Sequence, residues 1–363
     1  MHIIYRHNNE EEFRSLWNEY LDNNLASFRF LMSYIDYNLY YSKLLDMDYS
    51  FVIKENGHCA GICFLPLEKV NGQFQISLSA GYTVAPLCTC ERVEKIMYKE
   101  INCIANRVSA RKIMFYLDPL VMQYRNNFNT LLQHGYIDTS SSNGIVDLRK
   151  PLEKLWGSLN KSYRPLINGI NRNPEFSIEL YSAENADYKA HECYRDLHRQ
   201  CSGRETRPRE TFDRQFDMVK ENKGIFVGLK HKHSYIGFNY FLHFQNTAIY
   251  YSGADNPAYE NTGIAIYHPI LWAATEYYKN NGFEFLEFSE PCGYNEVNSL
   301  NSYLDRKQLN ISKFKRGMGA DMVTLYRGIR YLDDQEFLKD LETFKNKWIG
   351  NSTLNKNSKE DIS

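Results

Sequence analysis

The chain carries one structural pattern twice. From Phe51 to Leu65 an apolar run meets a polar turn at Asn56-Gly57 and returns through Gly61 into an apolar strand. From Phe226 to Phe241 the pattern recurs, with a polar turn around His231-Lys232-His233 and a return through Gly237. Downstream, Ile113–Leu117 ends on Asp118-Pro119, and Phe285–Ser289 ends on Glu290-Pro291. An amphipathic helical stretch precedes each of these closing strands. The offset of roughly 175 residues is far too long for a solenoid repeat and suits a duplicated domain. Such a chain must fold as two related mixed-sheet units, and a cleft in that architecture is the expected site.

At 363 residues the chain can bury two cores, and 43% hydrophobic with 15% aromatic residues is the make-up of a folded protein. A net charge of −1 supplies no field that would draw it to DNA or acidic lipid. No apolar run approaches the ~20 residues of a membrane span, so no integral membrane segment is expected. The start, Met1-His-Ile-Ile-Tyr-Arg6, reads as a first strand rather than a signal peptide. Eight scattered cysteines form no CxxC pair, which points to reduced thiols and a cytoplasmic setting. Cys88-Thr-Cys90 reads as a turn. His191 and His198 lack metal-ligand spacing, so no metal site is expected, and no Ser/His/Asp set favours covalent catalysis.

Periodicity predicts helices over 10–23, 28–45, 92–107, 187–200, 209–221, 264–280 and 334–348, and a short one over 128–134 closed by Gly135. A helical stretch over 152–170 carries Pro165 as a break or a new first turn. Strands are predicted over 74–82, 144–148, 176–181, 247–253, 311–318 and 322–326, besides the two hairpins and the closing strands. The expected division is 1–150, 151–350 and a disordered tail over 351–363.

Several residues have chemistry suited to a site. Glu290 and Asp255 end strands and are candidate general bases for deprotonating an amine. Asp118 is the first-half counterpart of Glu290. Lys161 and Arg164, three apart beside Tyr163, are placed to share a helix face and clamp a diphosphate. Arg204 and Arg207 crowd a loop that suits an anionic acceptor, and Tyr251 in the Tyr250-Tyr251 pair is a further candidate for lining a substrate site.

The order hairpin, strand, glycine-bearing loop, helix, strand resembles the GNAT acyltransferase fold. In that fold the loop before the central helix offers backbone N–H groups to the pyrophosphate of an acyl-CoA. Here the corresponding residues are Thr262, Gly263, Ile264 and Ala265, without the full Gln/Arg-x-x-Gly-x-Gly pattern. The segments Leu155–Arg172 and Ile311–Ala320, with Phe314-Lys315-Arg316-Gly317-Met318-Gly319, resemble the FemABX group and the BioF2-like acetyltransferase domains. The resemblance implies a mixed α/β (α+β) fold of two GNAT-like domains, each a mixed, mostly antiparallel sheet flanked by helices. It also implies that Lys315 lies near the acyl-transfer site, where a cation would stabilise a developing oxyanion or a phosphate.

The expected function is N-acyl transfer, from acyl-CoA as co-substrate, to the amine of an amino sugar or peptide. That acceptor would be carried on a nucleotide- or lipid-linked cell-envelope precursor, with no permanently bound cofactor. Two alternatives stand beside it. One is an aminoacyl-tRNA-dependent peptidyltransferase of peptidoglycan bridge synthesis, and the other is a non-catalytic ligand-binding module. Residues 181–226 hold only two ordinary helices, which leaves no room for the helical arm of some FemABX members. No lysine-rich tract offers a grip on tRNA.

Overall fold

The computed structural model describes residues 1–125 and 128–360, the last ten as backbone only. In chain order the elements begin with β1 (His2–Tyr5), α1 (Glu10–Asn23), α2 (Met32–Tyr41), β2 (Leu45–Asp48), β3 (Phe51–Glu55) and β4 (His58–Cys63). Next come β5 (Pro66–Val70), β6 (Gln73–Ile76), β7 (Thr83–Val84), β8 (Leu87–Cys88), α3 (Glu91–Arg107), β9 (Lys112–Tyr116), α4 (Pro119–Met122) and β10 (Ile137–Asp138). The second run is β11 (Ser141–Asp147), α5 (Leu152–Ser158), α6 (Tyr163–Arg172), β12 (Phe176–Tyr181), α7 (Tyr188–Ser202) and α8 (Arg209–Lys220). It continues through β13 (Gly224–His231), β14 (Ser234–Phe244), β15 (Thr247–Asp255), α9 (Tyr267–Asn280) and β16 (Phe285–Glu287). The chain closes with β17 (Val297–Ser299), β18 (Ser302–Tyr303), α10 (Arg306–Gly317), β19 (Asp321–Leu325), β20 (Arg327–Tyr331) and α11 (Asp334–Glu360).

The chain forms two compact units: residues 1–142, 293–310 and 324–363, and residues 143–292 with 311–323. A single cut at 150, as the sequence suggested, therefore does not describe them. In the first unit β1-β3-β4-β8 form one sheet and β10-β20-β9-β6-β5-β2 another, with β7 also on β9. In the second, one sheet runs β12-β13-β14-β15-β16-β11-β19. The repeat is visible in these orders. In each unit a first strand pairs antiparallel with the hairpin's first strand, β1 with β3 and β12 with β13. Two helices separate those strands in sequence, α1 and α2 in one case, α7 and α8 in the other.

Relative to a cut at 150, each unit takes a strand from the other side. β20, near the end of the chain, lies antiparallel on β9, and β11 lies antiparallel on β16. The exchange explains the difference in bounds. The strand expected at 144–148 exists but lies in the second unit's sheet between β16 and β19, and the chain's last strand lies in the first unit's sheet between β10 and β9.

The central helices hold the cores. α3 buries Val93, Met97, Ile101 and Ile104 on one stripe, with Glu91 and Glu94 in its first turn and Arg107 in its last. These placements match helix amphipathicity and the helix dipole. The stripe packs on Phe51, Ile53, Cys63, Ile113 and Phe115. α9 buries Ile270, Leu271, Ala274 and Tyr278 against Ile225, Val227, Leu229 and Phe241. Each Val, Leu, Ile, Met or Phe among them contributes about 1.5–3 kcal/mol on burial. The hairpin glycines serve this packing. A Cβ on Gly61 would sit 2.6 Å from Met97 Sδ, and one on Gly237 2.2 Å from Ile266 Cγ2.

Other departures are local. The helix expected over 28–45 is α2 alone, preceded by a 3₁₀ turn at Phe28–Phe30, and Leu45 already belongs to β2. The strand expected over 74–82 stops at Ile76. The short helix near 130 is the 3₁₀ turn Thr130–His134, closed by Gly135 at φ 78°. Pro165 stands in the first turn of α6, where its missing N–H costs nothing. Residues 311–317 form the last part of helix α10, and Met318 lies in the turn after it, so no strand forms here. α11 runs on to Glu360; the tail expected to be disordered otherwise lies outside the described residues.

Candidate active site

In the second unit β15 and β16 run parallel only over Thr247–Ile249 and Phe285–Glu287. Beyond that, β15 stays with β14 as far as Asp255. The chain after β16 leans the other way, with Phe288 N donating to Gly144 O at 2.8 Å. The sheet therefore splits. A bulge between Tyr240 and Phe241, opposite Tyr250–Ser252, sharpens the bend of β15. The first unit has the same split, since Thr83–Val84 pair with β9 while Leu87 pairs with β4.

Lys315 occupies the split in the second unit. It is 5% exposed, and its Nζ donates to Glu290 O at 2.8 Å and to Ser289 O at 3.3 Å. The ammonium also sits 5.9 Å over the Tyr250 ring. α10 delivers it there by burying Ser312 and Lys315, one helical step apart. The helix end is fixed by close contacts. A Cβ on Gly317 would meet Tyr163 Cε2 at 2.4 Å, and Gly319, at φ 88°, backs onto Ser158 Oγ. Burial pushes the Lys315 amine down to about 8, against partial support from Cys292, Glu287 and Glu290. Cys292 is pushed up to about 11 by the same burial, so it is no nucleophile at neutral pH. Lys315 thus lies beside the main chain of Glu290, as expected, although on a helix rather than a strand.

Other expected residues are placed differently. Asp255 accepts from Tyr267 Oη at 2.9 Å and from Cys201 Sγ at 3.2 Å, beside the start of α9. Thr262, Gly263, Ile264 and Ala265 lie in the loop before α9 rather than in its first turn. Thr262 Oγ1 donates to Tyr259 O and accepts from Ile264 N, which ties that loop to itself. The N-cap position, Ile266, makes no side-chain capping bond. Pro269 gives the first turn of α9 one N–H fewer, so Tyr267 and His268 supply the backbone donors that an anion at this helix end would meet. Tyr163, His268 and Phe314 pack edge-on next to it, with ring centroids 4.4 Å and 4.9 Å from His268.

The cationic candidates need correction. Lys161 is exposed and precedes α6, so it shares no helix face with Arg164. The Arg164 guanidinium donates to Gly157 O and, at 3.1 Å, to Leu159 O, where it ends α5. Arg207 is 7% exposed and stacks 3.9 Å over Phe212, with Nη2 on Gln215 Oε1 at 3.0 Å. Arg204 is exposed. The pair therefore presents no joint clamp to an anion. Tyr251 is half-buried, edge-on to Tyr240 at 6.2 Å. In the first unit Asp118 is buried as the cap of α4 and pairs with Arg29 at 3.3 Å.

Two groups at the split carried a weak signal in the sequence. Glu287 is an acid inside an apolar strand; it is 1% exposed and accepts from Asn143 Nδ2 at 2.8 Å. Asn239 is a polar residue inside the apolar strand β14 and is fully buried. Among the described residues no group of three His, Cys, Asp or Glu side chains could hold a metal ion. No helix there is long and apolar enough to cross a membrane.

Comparison with solved structures decides the architecture. The chain superposes on FemX with a TM-score of 0.62 at 12% identity, covering 93% of this chain and 99% of that one. This is a FemABX-like double GNAT fold. The C-terminal domain of a putative lysylphosphatidylglycerol synthetase from Agrobacterium fabrum matches with a TM-score of 0.61 at 11% identity, over 92% and 96% of the two chains. A tandem GNAT protein of the clavulanic acid biosynthesis pathway matches at 0.50 and 11%, over 91% and 98%. No family model matches the sequence, and neither does any curated protein. At these identities the likeness concerns the fold, and the chemistry rests on the residues of the split.

Proposed function

We propose that the protein is an N-acyltransferase whose donor lies in the β15–β16 split of the second unit. The observation that carries this reading is Lys315, a buried ammonium held on two main-chain carbonyls at the point where the strands part. An amine nitrogen attacks the donor's carbonyl carbon, forming the new C–N bond. The thioester or ester bond breaks, and the departing sulfur or oxygen takes up the proton that the amine gives away. Negative charge passes through the carbonyl oxygen meanwhile. Lys315 has three N–H bonds and uses two on Ser289 and Glu290, so one remains for that oxygen. Glu290 or Asp255 accepts the amine's proton, directly or through water. The first turn of α9 suits the pyrophosphate of an acyl-CoA. The acceptor is an amino sugar or peptide on a cell-envelope precursor.

A second reading keeps the chemistry and changes the donor to aminoacyl-tRNA. It is favoured by the near-complete overlap with FemX and with the synthetase domain, and it would extend the acceptor class to lipid headgroups. One experiment separates the two. The protein is incubated with acetyl-CoA or with alanyl-tRNA and an amine-bearing peptide, and the peptide is weighed by mass spectrometry. A gain of one acetyl group supports the first reading and a gain of one alanine the second. No gain with a panel of CoA thioesters and charged tRNAs refutes acyl transfer.

A further inference from the structure

Asn239 is the least satisfied polar side chain near the split. It is 0% exposed, and neither its Oδ1 nor its Nδ2 has a hydrogen-bond partner. Burying an amide in this way costs about 1–3 kcal/mol for each unpaired group, so native folds rarely keep one without use. Its surroundings show where it points. Asn239 on β14 stands opposite Gly253 on β15. The position that a Cβ of Gly253 would take lies 2.6 Å from Asn239 Oδ1, 2.6 Å from the Tyr250 hydroxyl and 2.9 Å from Tyr267 Cε1. Only glycine leaves that point open, so three side chains converge over the backbone of β15. Tyr250 connects the group to Lys315, whose ammonium lies over its ring, and Tyr267 connects it to Asp255.

Resting on the acyl-transfer reading, we infer that Asn239 is a substrate-binding residue that holds a neutral secondary amide beside the transfer centre. The chemistry of the side chain selects that class. A carboxamide offers one acceptor and one donor, the complement of an N–H and a C=O presented together. An ammonium would favour a carboxylate in this place, and a phosphate would favour a cation or a helix end. Tyr250 and Tyr267, both half-buried, converge with Asn239 at Gly253 and are the side chains that an entering amide would meet. Two substrates of the proposed reaction carry such a group: the pantetheine arm of a CoA thioester, and a peptide or N-acylated acceptor.

The test uses the full chain, acetyl-CoA and alanyl-alanine amide as probes, with calorimetric affinities and melting temperatures. Asn239→Leu keeps the size and removes both unpaired polar atoms. The expected result is a melting temperature at or above wild type, together with about a tenfold or greater loss of affinity for one probe. Loss for acetyl-CoA alone assigns the amide to the donor, and loss for the peptide alone assigns it to the acceptor. Gly253→Ala, which fills the convergence point, should weaken the same probe. Should Asn239→Leu fold poorly, Asn239→Ala, which removes both polar atoms without adding bulk, reads the same contact. Unchanged affinity for both probes in these variants overturns the inference while leaving acyl transfer standing. A wild-type protein that binds neither probe overturns the inference and the acyl-CoA reading together.

Discussion

Replacing Lys315 by Met separates the catalytic reading from a structural one. Methionine fills the same apolar channel through α10 and removes only the ammonium. Two opposing terms act on stability. The variant loses two charge-assisted bonds to Glu290 O and Ser289 O, at about 1.5–3 kcal/mol each. It also escapes the cost of burying a cation. The fall of the amine from 10.5 to about 8 puts that cost on the order of 3 kcal/mol. The terms largely offset, so the melting temperature should move by only a few degrees. Turnover has no such offset. Losing a donor aimed at a developing oxyanion costs about 2.7–4 kcal/mol, or about 10²–10³ in kcat, with little change in either KM. The assay is steady-state transfer to a peptide amine, run beside thermal unfolding. A folded variant with kcat within about threefold of wild type would refute the assignment. A rise in KM with kcat unchanged would reassign Lys315 to ground-state binding.

Further outcomes follow from the same geometry. The Lys315 amine is depressed in the folded state, so the unfolded chain holds more protons between about 8 and 10.5. Wild type should therefore gain stability relative to Lys315→Met as pH rises through that window, while its turnover falls above about 8; a turnover flat to pH 10 would contradict the charged role. Arg207→Ala should cost about 2–4 kcal/mol through lost packing on Phe212 and leave acceptor KM unchanged, checked by denaturant unfolding and kinetics. Gly319→Ala, at φ 88° and against Ser158, should destabilise by about 1–3 kcal/mol in the same unfolding assay. Ending the chain after Tyr326 removes β20 from β9, so the first unit should lose cooperative unfolding; a truncated protein that melts as wild type would refute the strand exchange.

The duplicated pattern was legible because hairpins, closing strands and the stripes of α3 and α9 are local signals. The exchanged strands were not. Gly144–Leu148 reads as a strand wherever it pairs, and nothing local says that β11 belongs with β16. Lys315 was found through its flanking residues, but its segment was read as a strand because Gly317 and Gly319 disfavour a helix locally. Their close contacts with Tyr163 and Ser158 settle the matter in three dimensions. Arg164 and Arg207 show how little charge alone reveals, since one ends a helix and the other lies over an aromatic ring. Asn239 and Glu287 carried the weakest signal, one polar residue in an apolar strand, which becomes informative only once burial is known.

The most direct test of the account is a crystal structure of the protein with a non-reactive S-(2-oxoalkyl)-CoA analogue, a thioether that keeps a ketone carbonyl. The account predicts the pyrophosphate at the first turn of α9, the acyl chain entering the split between β15 and β16, and the acyl carbonyl oxygen within hydrogen-bonding distance of Lys315 Nζ. An analogue bound with its carbonyl away from Lys315, or bound only in the first unit, would contradict it.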